Sequence, residues 1–432
     1  MKIERDIKIA EEVELPSHVK RRIRETFGHD LTADQVVTQI IRNVRENGDA
    51  ALFEYSEKLD GAVISKFEVT AEEIEAAKNS VDEALLASLE IAADRIRTFH
   101  QKQISALPIG KTDFGEGVGQ VLGPLERVGV YAPGGKASYP STVLMTAIPA
   151  KVAGVDEVIL ASPPRPDGHI PSLTLAAAAI AGVDRLFAIG GASAVAALAF
   201  GTDSVPKVDK ICGPGNIFVM LAKKQVFGVV GVDGLQGPTE TIVLADGSAN
   251  PVSCAADLLA QAEHDEMASA IMITDSAELG EKVSDEVAQQ MARLPRSEIV
   301  NSSMAQHGGI HVVGSMQEAI EAVNDYAPEH LCLLVENPDE IVGKIRHSGG
   351  IFVGESSPEV MGDYVAGPSH VMPTGGTARF SSPLNVLDFL KVTSLVALDE
   401  RSFNELAPHA AAIARAEGLT AHEQAVYKRF NK

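Results

Sequence analysis

Four short segments, far apart in the chain, set a histidine beside a carboxylate or an amide. They are Gln261-Ala262-Glu263-His264, Ala327-Pro328-Glu329-His330, the stretch from Asp363 to His370, and the stretch from Glu417 to His422. The chain has 12 histidines, and these segments hold four of them. Imidazole titrates near neutral pH and ligates divalent metals; a carboxylate beside it supplies a further ligand or a proton relay. If the four segments converge, the chemistry is that of a metal-assisted enzyme. Each segment also has a plainer reading, as a polar helix end, a solvated loop end or a turn cap.

The elements that carry these residues are readable in outline. Gln261 and His264 are spaced i, i+3 on an expected helix Cys254–His264, which places them on one face. Glu329 and His330 precede the apolar run Leu331–Val335. Pro328 disfavours a preceding helix and is expected to leave Ala327 extended, with the pair at a loop-to-strand junction. In a regular strand the two side chains would point to opposite faces. Asp363 and His370 fall in residues 354–383, rich in Gly, Pro and Ser and expected to form one long ordered loop of the kind that carries function. Glu417 and His422 would diverge by about 140° on a continuous helix. Gly418 reads as a helix stop and Thr420-Ala421-His422-Glu423 as a capping box opening a new helix, so both can face one place.

Bulk properties set limits. The chain has 432 residues, 45% hydrophobic and 22% charged, enough for two or three domains with full cores. Lys and Arg number 37 against 59 Asp and Glu, a formal charge of −22. That field repels phosphate backbones and anionic lipid, so neither nucleic-acid nor membrane binding is expected. Met1–Asp6 is charged and lacks a signal-peptide core, and no long apolar run reads as a membrane span. Cys212, Cys254 and Cys332 lack metal-finger or redox spacing and fit a reduced, cytoplasmic setting. Cys212, beside Gly213, is the one thiol that invites a role as a nucleophile, against the plainer reading of a buried small apolar residue.

The first 110 residues read as helical. Thr32 caps a helix bearing Val36, Val37, Ile40, Ile41 and Val44, and an amphipathic run extends from Ala71 to about Gln103. From Arg127 short apolar runs alternate with Ala-rich helices. Expected strands are Val128–Tyr131, Glu157–Leu160, Leu186–Ile189, Val208–Ile211 and Thr241–Leu244. A second block follows with Ala270–Ile273, Ile310–Val313, Leu331–Val335 and Gly350–Val353. The fold class is α/β with two similar open, mostly parallel sheets flanked by helical N- and C-terminal segments. The expected division is a helical region 1–110, a first sheet domain 111–237, a second sheet domain 238–380 and a helical tail 381–432. Ligands of open parallel sheets bind at the carboxyl ends of strands. There the chain places the glycine turns Pro133-Gly134-Gly135, Gly190-Gly191-Ala192-Ser193 and Gly213-Pro214-Gly215-Asn216. Such turns admit a phosphate, though none is a full dinucleotide fingerprint and tight turns also occur without a ligand.

Taken together, Tyr131-Ala132-Pro133-Gly134-Gly135, Tyr139–Met145, Gly213–Asn216, Gln261–His264, Ala327–Leu331, Gly362-Asp363-Tyr364, Gly376–Phe380 and Glu417–His422 resemble the histidinol dehydrogenase family from about residue 30 to the C-terminus. The resemblance implies Rossmann-like sheet domains and a zinc enzyme that oxidises L-histidinol to L-histidine through bound histidinaldehyde, reducing two NAD+. It implies Gln261, His264, Asp363 and His422 as ligands of one zinc per subunit, and Glu329 and His330 as the acid–base pair. It further implies substrate contacts at Thr239, His370 and Glu417 besides the metal ligands and His330, and NAD+ contacts at Tyr131, Ser193 and Asn216. Family members are homodimers whose C-terminal segment enters the partner's site, which implies that Glu417 and His422 act in trans. Two positions depart from the family pattern: Thr239 stands for a usual Ser and Ser193 for a common Gln. A paralogous group oxidises a sulfonated diol on the same scaffold. A zinc- and NAD-dependent dehydrogenase of that diol or of another amino alcohol is the alternative, although Tyr139–Met145 and Ser381–Leu384 look like the histidinol enzymes.

Overall fold

The computed structural model describes residues 15–115, 117–134 and 138–430. Met1–Asp6 and Gly135 of the first glycine turn therefore lie outside the described residues. The chain divides into two compact units. One takes the residues up to Lys102 together with Leu125–Phe389; the other takes Gln103–Pro124 and Leu390–Lys432.

The first unit contains both expected sheets. In the first sheet the order is Glu68–Val69, Arg185–Ala188, Glu157–Ser162, Arg127–Tyr131, Lys210–Cys212, Gly231–Val232. All pairs are parallel except the edge strand Glu68–Val69. Helix Ala33–Asn47 opens with a capping box between Thr32 and Gln35 and buries Val36, Val37, Ile40 and Val44. Those residues join the core formed with helices Gly191–Phe200 and Ile217–Val226, so this N-terminal helix is built onto the first sheet. The expected run from Ala71 to Gln103 is two helices, Ala71–Asn79 and Glu83–Ser105. Asp82 breaks it by accepting from the backbone of Ala84 and Leu85, which opens the second helix.

The second sheet has the order Gly309–Val312, Ser269–Thr274, Glu240–Ala245, His330–Leu334, Gly350–Val353 and is parallel throughout. Val243 and Ala245 pack toward helices Pro251–Ala262 and Ala277–Met291, while Ile242 and Leu244 pack toward helix Met316–Tyr326. Burial on both faces explains why these strands read as continuous apolar runs.

The second unit holds what the sequence reading missed, an antiparallel sheet ordered Leu390–Val396, Val118–Pro124, Gly110–Asp113. Residues 381–432 are thus not helical throughout; helices Glu400–Ala416 and Thr420–Phe430 follow the strand. Several strand residues are exposed (Val118, Val121, Val392, Val396), which leaves little apolar alternation to read. No described helix is long and apolar enough to cross a membrane.

Candidate active site

The two sheets offer opposite ends. The glycine turns follow the carboxyl ends of strands in the first sheet. In the second, Thr239 and Glu240 open the strand Glu240–Ala245, and Glu329 and His330 open the strand His330–Leu334, so these residues line the amino edge. The paired register of His330 with Thr241 brings the two strand starts side by side.

Glu329 and His330 share this edge because the backbone before them is bent. Helix Met316–Tyr326 ends at Ala327, whose φ of 53° makes it the one non-glycine with positive φ among the described residues. This corrects the extended shape expected before Pro328. The Ala327 N–H donates to Val323 O at 2.8 Å, so closing the helix outweighs the pre-proline preference. Glu329 Oε2 then accepts from the Thr239 hydroxyl at 2.5 Å and from the Glu240 N–H at 3.0 Å. It also lies 3.6 Å from His330 Nδ1. Burial raises the Glu329 pKa, with His330, Thr239 and the Glu240 N–H opposing.

His330 Nδ1 is 3.4 Å from Glu240 O, and Nε2 is 3.7 Å from Asp363 Oδ1, too long for a hydrogen bond. Burial alone would lower this imidazole, but Glu359, Glu329 and Asp363 together carry its pKa up to about 10. Glu359 is the residue that the sequence reading missed. The residue is 1% exposed, its carboxylate accepts from the Thr241 hydroxyl, and burial lifts its pKa to about 7. An acidic residue after Pro358 reads as an ordinary first-turn glutamate, and no sequence signal separates the two cases.

Asp363 lies on a helix, Glu359–Tyr364, and not in a continuous loop. Gly362 permits that placement, because a Cβ there would fall 2.3 Å from the Phe352 ring. The Asp363 carbonyl is 2.8 Å from His370 Nδ1, and His370 Nε2 is 3.4 Å from the Thr142 hydroxyl. Burial lowers the His370 pKa against the pull of Asp363. Burial works to raise the Asp363 pKa, but His330, His370 and His264 together outweigh it and hold the carboxylate low.

Helix Pro251–Ala262 ends before His264, so Gln261 is helical and His264 sits on the following turn, with its N–H 3.2 Å from Gln261 O. Gln261 is fully buried, and its Nε2 donates to the Thr239 hydroxyl at 2.8 Å. Its Oε1 is buried and has no hydrogen-bond partner among the described residues. His264 keeps an exposed edge, yet desolvation by the surrounding protein lowers its pKa against Asp363. A neutral imidazole and a bare amide oxygen beside a carboxylate are a donor set suited to a divalent cation. Among the described residues no three His, Cys, Asp or Glu side chains are grouped closely enough to hold one.

Glu417 and His422 belong to the second unit. Gly418, at φ 76°, follows the end of helix Glu400–Ala416, and His422 lies in the first turn of helix Thr420–Phe430, as the break suggested. Glu423 pairs with Arg415, 2.7 Å from its Nε.

Around the first sheet, the Tyr131 hydroxyl accepts from the Gly191 N–H at 3.1 Å, and burial pushes its pKa to about 12. Ser193 donates to Gly190 O at 2.7 Å, so its hydroxyl closes its own turn. Asn216 Oδ1 caps helix Ile217–Val226 through the N–H groups of Phe218 and Val219, at 3.0 and 3.2 Å. Cys212 is fully buried and burial raises its thiol pKa well above the ordinary value, which removes it as a nucleophile.

A family model described as histidinol dehydrogenase matches residues 24–430. The histidinol dehydrogenase of Dehalococcoides mccartyi is 55% identical over 397 residues, 92% of this chain and 91% of that protein. That of Halalkalibacterium halodurans is 50% identical over 390 residues, 90% of this chain and 92% of its own. Among solved structures, the histidinol dehydrogenase of Elizabethkingia anophelis matches with a TM-score of 0.87 at 35% identity, covering 93% of each chain.

Proposed function

Because this chain belongs to the histidinol dehydrogenase family, we propose that it oxidises L-histidinol to L-histidine through bound histidinaldehyde, passing one hydride to NAD+ in each of two steps. The observation that carries this reading is the amino-edge cluster. Glu329 and His330, adjacent in sequence, lie 3.6 Å apart beside Asp363, and the Thr239 hydroxyl links Glu329 to Gln261.

Gln261, His264, Asp363 and His422 of the partner subunit would hold one zinc ion. When bound, zinc would orient the imidazole and amine of the substrate, act as a Lewis acid, and draw the charge of Asp363 away from His330. In the first oxidation His330, in its neutral form, takes the hydroxyl proton while the carbinol hydride leaves to NAD+. The aldehyde stays bound, with Thr239, His370 and Glu417 of the partner subunit as contacts. Glu329 then takes a proton from water as it adds to the aldehyde carbon. The raised pKa of Glu329 suits this role, since a carboxylate of ordinary pKa is a weak base. The gem-diolate so formed gives its hydride to a second NAD+, leaving the carboxylic acid, and the protons taken by His330 and Glu329 pass to solvent. Tyr131, Ser193 and Asn216 are assigned to the NAD+ side, with Ser193 acting through the turn that it closes.

Initial rates of NADH release across histidinol, other amino alcohols and a sulfonated diol test the substrate. We expect histidinol to lead in kcat/KM by about 100-fold or more, since buried polar groups left unpaired by a wrong substrate are costly. A faster rate with the sulfonated diol would overturn the assignment.

A further inference from the structure

One buried ion pair holds both backbone polar groups of a single glycine. Lys223 and Asp233 have side chains only 1% and 2% exposed, and their charged ends are in contact. Asp233 Oδ2 accepts from the Gly213 N–H at 2.7 Å, while Lys223 Nζ donates to the Gly213 carbonyl at 3.0 Å. Lys223 also donates to Gln236 Oε1 at 2.9 Å. Gly213 has a φ of 113°, and a Cβ there would fall 2.2 Å from Tyr131 O, so the turn lies directly on the strand that carries Tyr131. Three residues on, Asn216 caps the helix on which Lys223 stands.

The segment that supplies Asp233 and Gln236 runs on into the acid–base site. The Gly237 N–H donates to the Thr374 hydroxyl at 2.7 Å, and Thr239 bridges Gln261 to Glu329. The pair therefore ties a glycine turn at the carboxyl edge of the first sheet to the strand start that holds Glu329. Desolvating a lysine and an aspartate is expensive, and an apolar pair of similar volume would hold the helix in place at least as well. Placing such a pair on both polar groups of one glycine fits a demand for position more than for stability.

We propose that Lys223 and Asp233 are positioning residues, a strut that keeps the Gly213–Asn216 turn, and the dinucleotide bound there, in register with Glu329 and His330. The proposal rests on the NAD+-dependent reading above. It is tested by titrating the full-length, zinc-loaded protein with NADH, followed by nucleotide fluorescence. The variants are Lys223→Met, Asp233→Asn and the double variant, which leaves no buried charge without a partner. The strut predicts folded variants with unchanged zinc content and unchanged KM for histidinol, but NADH affinity weakened about tenfold or more and kcat reduced, since misplacement by an ångström is that costly. A lowered melting temperature with unchanged NADH affinity and kcat would overturn it, as would loss of fold in all three variants. Wild-type protein that binds no NADH would overturn the dehydrogenase reading as well, which separates that failure from failure of the strut alone.

Discussion

Glu329 shows how one side chain acquires a role from its neighbours. The Thr239 hydroxyl and the Glu240 N–H fix one carboxylate oxygen, and burial keeps the pKa raised. Glu329→Gln keeps the shape and removes the base. The second oxidation should slow by about 100-fold or more, the usual contribution of a general base, while the first is nearly spared. Measuring each half-reaction separately, with histidinaldehyde as the second substrate, checks this. Equal losses in both would remove water activation from Glu329. At this scale Gln261, Glu329, His330 and Asp363 were legible as candidates, because they are polar residues in unusual company. Glu359 was not, because a buried carboxylate and a surface one are the same letter until the strand bearing Thr241 closes over it.

Elements decide which residues meet. The alternating strands and helices were legible because both sheets are buried on two faces and their strands stand out as apolar runs. The short helix Glu359–Tyr364 was hidden within a Gly- and Pro-rich stretch, since a helix of six residues has too few turns to show a period. Its packing against Phe352 through Gly362 fixes where Asp363 stands. Gly362→Ala should displace that helix. Zinc retained after dialysis should fall about tenfold or more, the scale on which a disturbed supporting contact weakens a metal site. NADH affinity should be unchanged, because the proposed dinucleotide contacts Tyr131, Ser193 and Asn216 lie around the first sheet. Full zinc retention would mean that Gly362 does not position Asp363.

At the scale of the whole molecule the proposal is that a second subunit supplies Glu417 and His422. No sequence pattern states which copy supplies a residue; the helix break at Gly418 says only that the two side chains can face one way. Subunit mixing decides it. His422→Ala and His330→Ala proteins, each inactive, should recover about a quarter of wild-type activity after random exchange, since half the dimers are mixed and each has one intact site of two. Exchange without recovery would place His422 in its own subunit's site.

The central claim is a two-step oxidation completed without releasing the aldehyde. Its most direct test is the stoichiometry of a single-substrate reaction run to completion with limiting histidinol and excess NAD+. The account predicts about two NADH and one histidine per histidinol, as the balance of an alcohol-to-acid oxidation requires, with no aldehyde trapped by semicarbazide. One NADH per histidinol with trapped aldehyde, or no turnover by zinc-loaded protein, would contradict it.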